Sequence, residues 1–91
     1  MRMDKFLKVS RLIKRREVAK ELCEASFVLC NGKVAKPSTE VVPGDELSLT
    51  LGRHVLTVKV LGVSPYANKE TASGLYDIME DRVQERSDIY A

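Results

Sequence analysis

The residues best suited to chemistry are cations near the start of the chain, in the stretch SRLIKRREVAKEL at positions 10–22. Lys14, Arg15 and Arg16 stand where a helix is predicted to begin, and Lys20 follows one helical turn after Arg16. A helix N-terminus favours acids, so each uncompensated cation there costs a few tenths to roughly 1 kcal/mol. A bound phosphate reverses that cost, because it gains cations and free backbone N–H groups together. The triplet therefore predicts a polyanion-binding surface, and it predicts that Arg16→Ala leaves stability unchanged or slightly raised.

The distribution of charge along the chain supports this interpretation. Residues 1–20 hold eight Lys or Arg and two acids, a net charge of +6, whereas residues 21–91 hold seven bases and eleven acids, a net charge of −4. A basic region of this kind points to nucleic acid as the partner. Aromatic residues make up only 5% of the chain, which argues against stacking on single-stranded bases. Recognition of the shape and backbone of folded RNA is the better match.

Other residue types offer little chemistry. The single histidine, His54, falls in a predicted turn, and Asp45 follows Pro-Gly, where an acid serves backbone hydrogen bonding. Cys23 and Cys30 lie among apolar residues and are expected to be reduced core thiols, too few for a disulfide framework or a zinc site. No nucleophile, base and orienting acid share a motif, and no glycine-rich phosphate loop occurs. The sequence predicts a binding protein with no catalytic residues, no cofactor and no metal.

Two helices are predicted to carry the cations. In residues 3–13 the apolar positions Met3, Phe6 and Leu7 share one face, and at 100° per residue the cations Lys5, Lys8 and Arg11 fall on the other. Leu12 and Ile13 break this pattern, so a turn is expected there. Residues 15–25 form the second helix, whose predicted apolar stripe is Val18, Leu22 and Ala25, flanked by Ala19 and Cys23.

The rest of the chain is predicted to be mainly β, followed by a final helix. Asn31-Gly32 is a strong hairpin signal, and Pro43-Gly44 precedes the alternation Leu47, Leu49, Leu51. A strand with Val58 and Val60 follows a turn at 52–54. Residues 68–86 are predicted to be helical, with an apolar stripe of Leu75, Ile78, Met79 and Val83 and with the acids Asp77, Glu80, Asp81 and Glu85.

Together these elements predict an α+β fold. Two N-terminal helices pack on a small, mainly antiparallel twisted sheet, and a C-terminal helix is added. We expect one RNA-binding domain over residues 1–61, and over residues 62–91 a linker and an acidic helix that packs on or extends it. No apolar run reaches the roughly 20 residues of a membrane span, and no signal peptide is visible. A cytoplasmic monomer is expected.

Four segments in order resemble the RNA-binding domain named after small-subunit ribosomal protein S-four. They are Arg2 to Leu7, Lys14 to Leu22, Val28 to Gly32, and Pro37 to Leu47. The combination of RLIKRR, a PGDELSL strand and the tail ANKETASGLYDIMED is similar to the stand-alone RqcP (YabO) family. One departure is Ser26, at a position where the family often has glycine; if that position requires a positive φ, serine is strained there.

The resemblance implies a factor of bacterial ribosome-associated quality control. Such a factor binds rRNA and peptidyl-tRNA on stalled large ribosomal subunits and supports alanine tailing of the nascent chain by its partner RqcH. The implied RNA-binding residues coincide with those of the charge argument: Arg2, Lys5, Lys8, Arg11, Lys14, Arg15, Arg16 and Lys20. Two alternatives stay open: a heat-shock-type RNA-binding factor that recycles obstructed large subunits, and a protein-interaction adapter that uses the acidic C-terminal helix.

Overall fold

The computed structural model describes residues 1–64 and 68–83 as two N-terminal helices followed by a five-stranded sheet. The elements, in chain order, are α1 (Met3–Val9), α2 (Arg16–Glu24), β1 (Val28–Cys30), β2 (Lys33–Val34), β3 (Glu46–Leu51), β4 (His54–Val60), α3 (Lys69–Ala72), a 3₁₀ turn (Ser73–Leu75) and β5 (Tyr76–Val83). The strands are ordered β2-β1-β3-β4-β5, and every neighbouring pair is antiparallel. The predicted α+β class, with helices on a small antiparallel sheet, is confirmed.

The first helix buries the predicted apolar face. Met3, Phe6 and Leu7 are fully buried. The helix ends at Val9, four residues before the predicted boundary, because Ser10 forms its C-cap and Arg11 then adopts a left-handed φ of 63°. Ile13 folds back, its N–H donating to the carbonyl of Leu7 at 3.1 Å, so the residues that broke the helical pattern form the connection to α2.

The second helix begins and ends within one residue of the prediction but buries a different stripe. Ala19 and Cys23 are buried and Leu22 is half-buried, whereas Val18 and Ala25 are exposed. The predicted stripe of Val18, Leu22 and Ala25 was therefore wrong by about one position. Small residues on the buried side allow α2 to approach α1 closely, and that contact decides which side faces inward.

The sheet supplies the other half of the core. Leu47 and Leu49 of β3 and Val58 and Val60 of β4 are buried at their alternate positions, as the two-residue period predicts. They pack with Val28, Val41 and the α1 residues in one apolar cluster. The N-terminus is tied to this core through Met3 N–H to Thr39 O at 2.8 Å, Asp4 N–H to Pro37 O at 3.1 Å and Val41 N–H to Met1 O at 2.7 Å.

The hairpin between β1 and β2 has the predicted turn. Asn31 and Gly32 both have positive φ, 53° and 85°, as a type I′ turn requires. The Asn31 side chain reaches across to β3: its Nδ2 donates to Asp45 Oδ1 at 3.1 Å, and its Oδ1 accepts from Glu46 N–H at 3.0 Å. Asp45 in turn accepts from Val42 N–H at 3.0 Å, so this acid stabilises a turn, as predicted.

The predicted helix over residues 68–86 was wrong for most of its length. Only α3 and the 3₁₀ turn are helical, and Tyr76–Val83 is strand β5, paired with β4. Ile78, Met79 and Val83 are 51–57% exposed rather than packed as a helical stripe. The physical reason is a β-bulge: Val58 pairs with Ile78 and Thr57 with Glu80, so Met79 is an extra residue. The bulge shifts the two-residue alternation and produces apolar spacings that resemble a helix. Residues 84–86 lie outside the described residues.

Two further sequence expectations bear on this architecture. The division into residues 1–61 and 62–91 stays a prediction. Across the two ranges that the structure describes, no helix is both long and apolar enough to cross a bilayer.

Candidate nucleic-acid interface

The eight predicted RNA-binding cations all lie on α1, on α2, or on the chain immediately before or between them. We call them the basic surface: Arg2, Lys5, Lys8, Arg11, Lys14, Arg15, Arg16 and Lys20. Seven are exposed and Lys5 is half-buried. The structure brings five of these residues together in two clusters, one at the connection between the helices and one around Asp4.

The first cluster surrounds a pocket at the connection between the helices. Lys8, Arg11 and Lys14 line an open pocket of about 420 Å³ together with Ile13, whose side chain is buried. None of the three cations makes a salt bridge to a described residue. Three unpaired cations around one hollow have the charge and the room to receive a phosphate.

Arg11 is held in this pocket by an unusual backbone. Its φ of 63° lies in the left-handed region, which costs an L-residue with a Cβ roughly 1–2 kcal/mol relative to the right-handed region. Arg11 N–H donates to Lys8 O at 3.1 Å, which closes the end of α1. Glycine is the usual residue at such a helix end. Here an arginine occupies the strained position, and it lines the pocket.

The second cluster is centred on Asp4, which the sequence analysis did not identify. Its carboxylate is 5% exposed and receives Arg2 Nε at 3.2 Å, Arg2 Nη2 at 3.5 Å and Arg16 Nη2 at 3.4 Å. Lys5 N–H also donates to it, at 2.8 Å. Burial alone raises the pKa of Asp4, but the hydrogen bonds from Arg16 and Arg2, the charge of Arg16 and the Lys5 N–H together hold the pKa below its ordinary value.

This contact changes the expectation for Arg16. The helix-dipole argument treated the cation at the start of α2 as uncompensated, yet Asp4 lies 3.4 Å from its guanidinium. Removing Arg16 would leave a buried carboxylate with fewer partners, so Arg16→Ala is now expected to lower stability modestly. An acid two residues after Arg2, in the first turn of an amphipathic helix, was the sequence signal that could have identified this partner.

Three predicted residues lie outside both clusters. Arg15 is the N-cap residue of α2, and its side chain makes no capping hydrogen bond. It therefore does not satisfy the free backbone N–H groups of the first helical turn. Lys20 lies one turn beyond Arg16 on α2, and Lys5 lies on α1 next to Asp4. Within residues 1–64 and 68–83, none of these three cations is in a salt bridge.

Neither thiol forms a hydrogen bond with the basic surface or lines its pocket, in the part of the chain that the structure describes. Cys23 is a buried free cysteine, and burial, assisted by the negative charges of Asp4 and Glu24, raises its pKa to about 11. Cys30 is half-buried, and its pKa is raised by burial and by Asp45. His54 is exposed at the first residue of β4, directly after the turn, and its Nδ1 lies 3.3 Å from Asp81 Oδ1 on β5. Among the described residues, no group of acids, cysteines and histidine is arranged to hold a metal ion.

The family model described as S4 domain matches residues 1–47, which include both N-terminal helices and the first strands of the sheet. A protein of Halalkalibacterium halodurans named RQC P-site tRNA stabilizing factor is 48% identical over 88 residues, which are 97% of this chain and 100% of that protein. A Bacillus subtilis protein of the same name is 47% identical over 81 residues, which are 89% of this chain and 94% of that protein. The chain belongs to this family of S4-domain proteins, as the sequence resemblance indicated.

A more distant likeness is to heat shock protein 15. The trimeric structure of that protein from Vibrio cholerae superposes with a TM-score of 0.81 at 31% sequence identity, and the match covers 87% of this chain and 81% of that one. The Haemophilus influenzae homolog is 32% identical over 90 residues, which are 98% of this chain and 69% of that protein.

Ser26, the departure noted in the sequence, does take a positive φ of 67°. Ser26 N–H donates to Cys23 O at 3.1 Å and Phe27 N–H to Leu22 O at 2.9 Å, which is the hydrogen-bond pattern of a Schellman C-cap. Serine therefore occupies a left-handed position that favours glycine, and it places the exposed Phe27 next to the end of α2.

Proposed function

We propose that this protein is an RNA-binding factor of ribosome-associated quality control that binds the P-site tRNA and rRNA of stalled large ribosomal subunits. The observation that carries the proposal is the concentration of eight cations on and beside the two helices of an S4 domain, in a chain that matches the tRNA stabilizing factors along almost their whole length. The proposal places the protein in the cytoplasm as a monomeric, non-enzymatic partner of the ribosome.

The geometry supports recognition through the phosphate backbone. The pocket formed by Lys8, Arg11 and Lys14 seats one phosphate, while Arg2 and Arg16 contact another with guanidinium groups that are about half exposed. Aromatic residues make up only 5% of the chain, so base stacking contributes little to this mode of binding. Contacts of this type position a protein on folded RNA without reading its sequence.

The proposed role of the complex depends on simultaneous contacts to tRNA and rRNA. A protein that binds tRNA and rRNA phosphates simultaneously restricts movement of the tRNA on the subunit. We propose that this restraint keeps peptidyl-tRNA productive while RqcH adds alanine to the nascent chain. The sheet serves as the support that fixes the spacing of α1 and α2.

The test is recovery of stalled large subunits with the tagged protein. Wild-type protein, expressed in cells that lack the native copy, is expected to retain large subunits that carry peptidyl-tRNA. The variant Lys8→Ala/Lys14→Ala is expected to lose most of that recovery. The matched control is Lys33→Ala/Arg53→Ala, which removes two exposed cations outside the basic surface. Both double variants therefore have the same net charge. Equal losses in the two variants would show that only net charge matters and would contradict the proposed site.

The second candidate, a recycling factor of the heat-shock type, is favoured by the superposition with heat shock protein 15. The same cells separate the two functions. If deletion of the gene abolishes alanine tails on stalled nascent chains, the tailing role is supported; if tails persist and free obstructed subunits accumulate, recycling is supported. The adapter alternative now concerns an acidic strand, since the helix on which it was based is not formed in residues 76–83.

A further inference from the structure

Asp4 is the acid most completely enclosed by the basic surface. The chain has three acids in its first 21 residues, and Asp4 differs from Glu17 and Glu21 because it is buried whereas they are exposed. A buried carboxylate must be paired to be stable. Here the partners are the guanidiniums of Arg2, on the chain entering α1, and Arg16, at the start of α2.

The contacts leave both guanidiniums available to a ligand. Arg2 uses Nε and one Nη on Asp4, and Arg16 uses one Nη, whereas each guanidinium has five N–H donors. The two side chains remain 54% and 48% exposed. The donors that Asp4 does not use are therefore accessible to a ligand. Because Asp4 already holds both side chains, less conformational freedom remains to be lost when a ligand binds.

We propose that Asp4 is a positioning residue for RNA binding: it fixes Arg2 and Arg16 as a single preorganised phosphate-recognition pair. This inference rests on the proposed function. A positioning role predicts a change in RNA affinity opposite in sign to the change that net charge alone predicts. Neutralising an acid inside a basic surface should strengthen RNA binding by charge alone, whereas losing the positioning residue should weaken it.

The experiment compares two variants that each remove one negative charge from this region. Asp4→Asn removes the positioning carboxylate, and Glu17→Gln removes an exposed acid in the first turn of α2. Affinity for purified large subunits that carry peptidyl-tRNA is measured for both, at protein concentrations and temperatures where circular dichroism shows each variant folded. We expect Asp4→Asn to bind about tenfold more weakly, which corresponds to ordering two long side chains, and Glu17→Gln to bind as tightly as wild type or up to about threefold more tightly.

A coupling measurement separates positioning from a general structural effect. In an Arg2→Ala/Arg16→Ala background no arginine remains to be positioned, so adding Asp4→Asn should change affinity less than twofold. A full tenfold loss in that background would show that Asp4 acts through the fold and would overturn the inference. Binding of Asp4→Asn that is tighter than wild type, in parallel with Glu17→Gln, would overturn it as well while leaving the proposed function intact.

An RNA-free measurement distinguishes failure of the inference from failure of the proposed function. Nitrogen-15 NMR of the arginine Nε–H groups should show Arg2 protected from solvent exchange in wild type and unprotected in Asp4→Asn. If wild-type protein does not bind large subunits, the proposed function is wrong, and the NMR comparison alone decides whether Asp4 orders the arginine. Equal Arg2 exchange rates in the two proteins would overturn the positioning role.

Discussion

At the scale of single residues, backbone conformation is where this chain departs most from ordinary preferences. Arg11, Ser26 and Asn31 have positive φ although none is glycine. Asn31 tolerates this conformation well and uses its side chain to join two turns. Arg11 and Ser26 each end a helix, and both pay a conformational cost that glycine would not. At Arg11 this conformation accompanies a cation that lines the pocket.

Gly32 allows the cost of a positive φ to be measured separately from packing. A Cβ added at Gly32 or at Gly74 meets no atom within 4 Å, but only Gly32 has a positive φ, 85°. Gly32→Ala is therefore expected to lower the free energy of unfolding by about 1–2 kcal/mol. Gly74→Ala should be neutral or stabilising by up to about 1 kcal/mol. The measurement is urea unfolding of both variants, and equal stabilities would contradict the primed turn at Asn31-Gly32.

At the scale of elements, β5 differs most from the predicted structure, and it carries more acids than the other strands that the structure describes. Its register places Asp77 opposite Lys59, which in turn lies opposite Glu46 on β3. Such cross-strand charge pairs contribute a few tenths to about 1 kcal/mol each. The strand is separated from β1, which α2 contacts, by two intervening strands. At about 4.8 Å per strand, β5 lies roughly 14 Å along the sheet from β1.

That separation predicts how the acids of β5 act on RNA binding. A variant with Asp77→Asn, Glu80→Gln and Asp81→Asn is expected to bind total RNA more tightly at about 10 mM salt, where the Debye length is about 30 Å. The difference should vanish near 150 mM salt, where that length is about 8 Å. Competition between stalled large subunits and total RNA at the two salt concentrations measures the effect. If the variant instead loses subunit binding at both concentrations, β5 is itself a docking surface and the adapter interpretation gains support. Glu85, the fourth acid of the predicted helix, lies outside the described residues.

The elements also show what local sequence could and could not predict. The face of α1, the hairpin turn and the alternation in β3 and β4 were predicted because each depends on neighbours a few residues apart. The second helix buried Ala19 rather than Val18 because its packing against α1 decides the buried side. Strand β5 was predicted as a helix because its bulge depends on pairing with β4, which the spacing within residues 76–83 does not encode. The pairing of Asp4 with Arg16 was missed for the same reason, since the two residues are twelve positions apart.

At the scale of the whole molecule, charge and shape are both polarised. The molecule measures 45 × 23 × 22 Å. Residues 1–20, which include α1 and the start of α2, carry a net charge of +6, whereas β5 carries three acids and one base. Such an arrangement orients the protein as it approaches a polyanion, since the basic surface is attracted and the acidic edge is repelled. Orientation of this kind depends on ionic strength, because exposed charges are screened by salt.

The number of phosphates that the whole basic surface contacts determines how strongly binding depends on salt. Each neutralised phosphate releases condensed counterions, so about five contacts predict that log K falls with log salt at a slope of roughly −3.5 to −4.5. Arg16→Ala should make the slope up to about 1 unit shallower, since one of the cations that neutralise RNA phosphates is lost. Arg53→Ala removes the same charge from an exposed turn away from the basic surface and should leave the slope unchanged. The measurement is binding of large subunits carrying peptidyl-tRNA at four or more salt concentrations. A slope near zero for wild type would show that the contacts are not to phosphates. Equal changes of slope in the two variants would show that net charge, and not the location of the cation, determines binding.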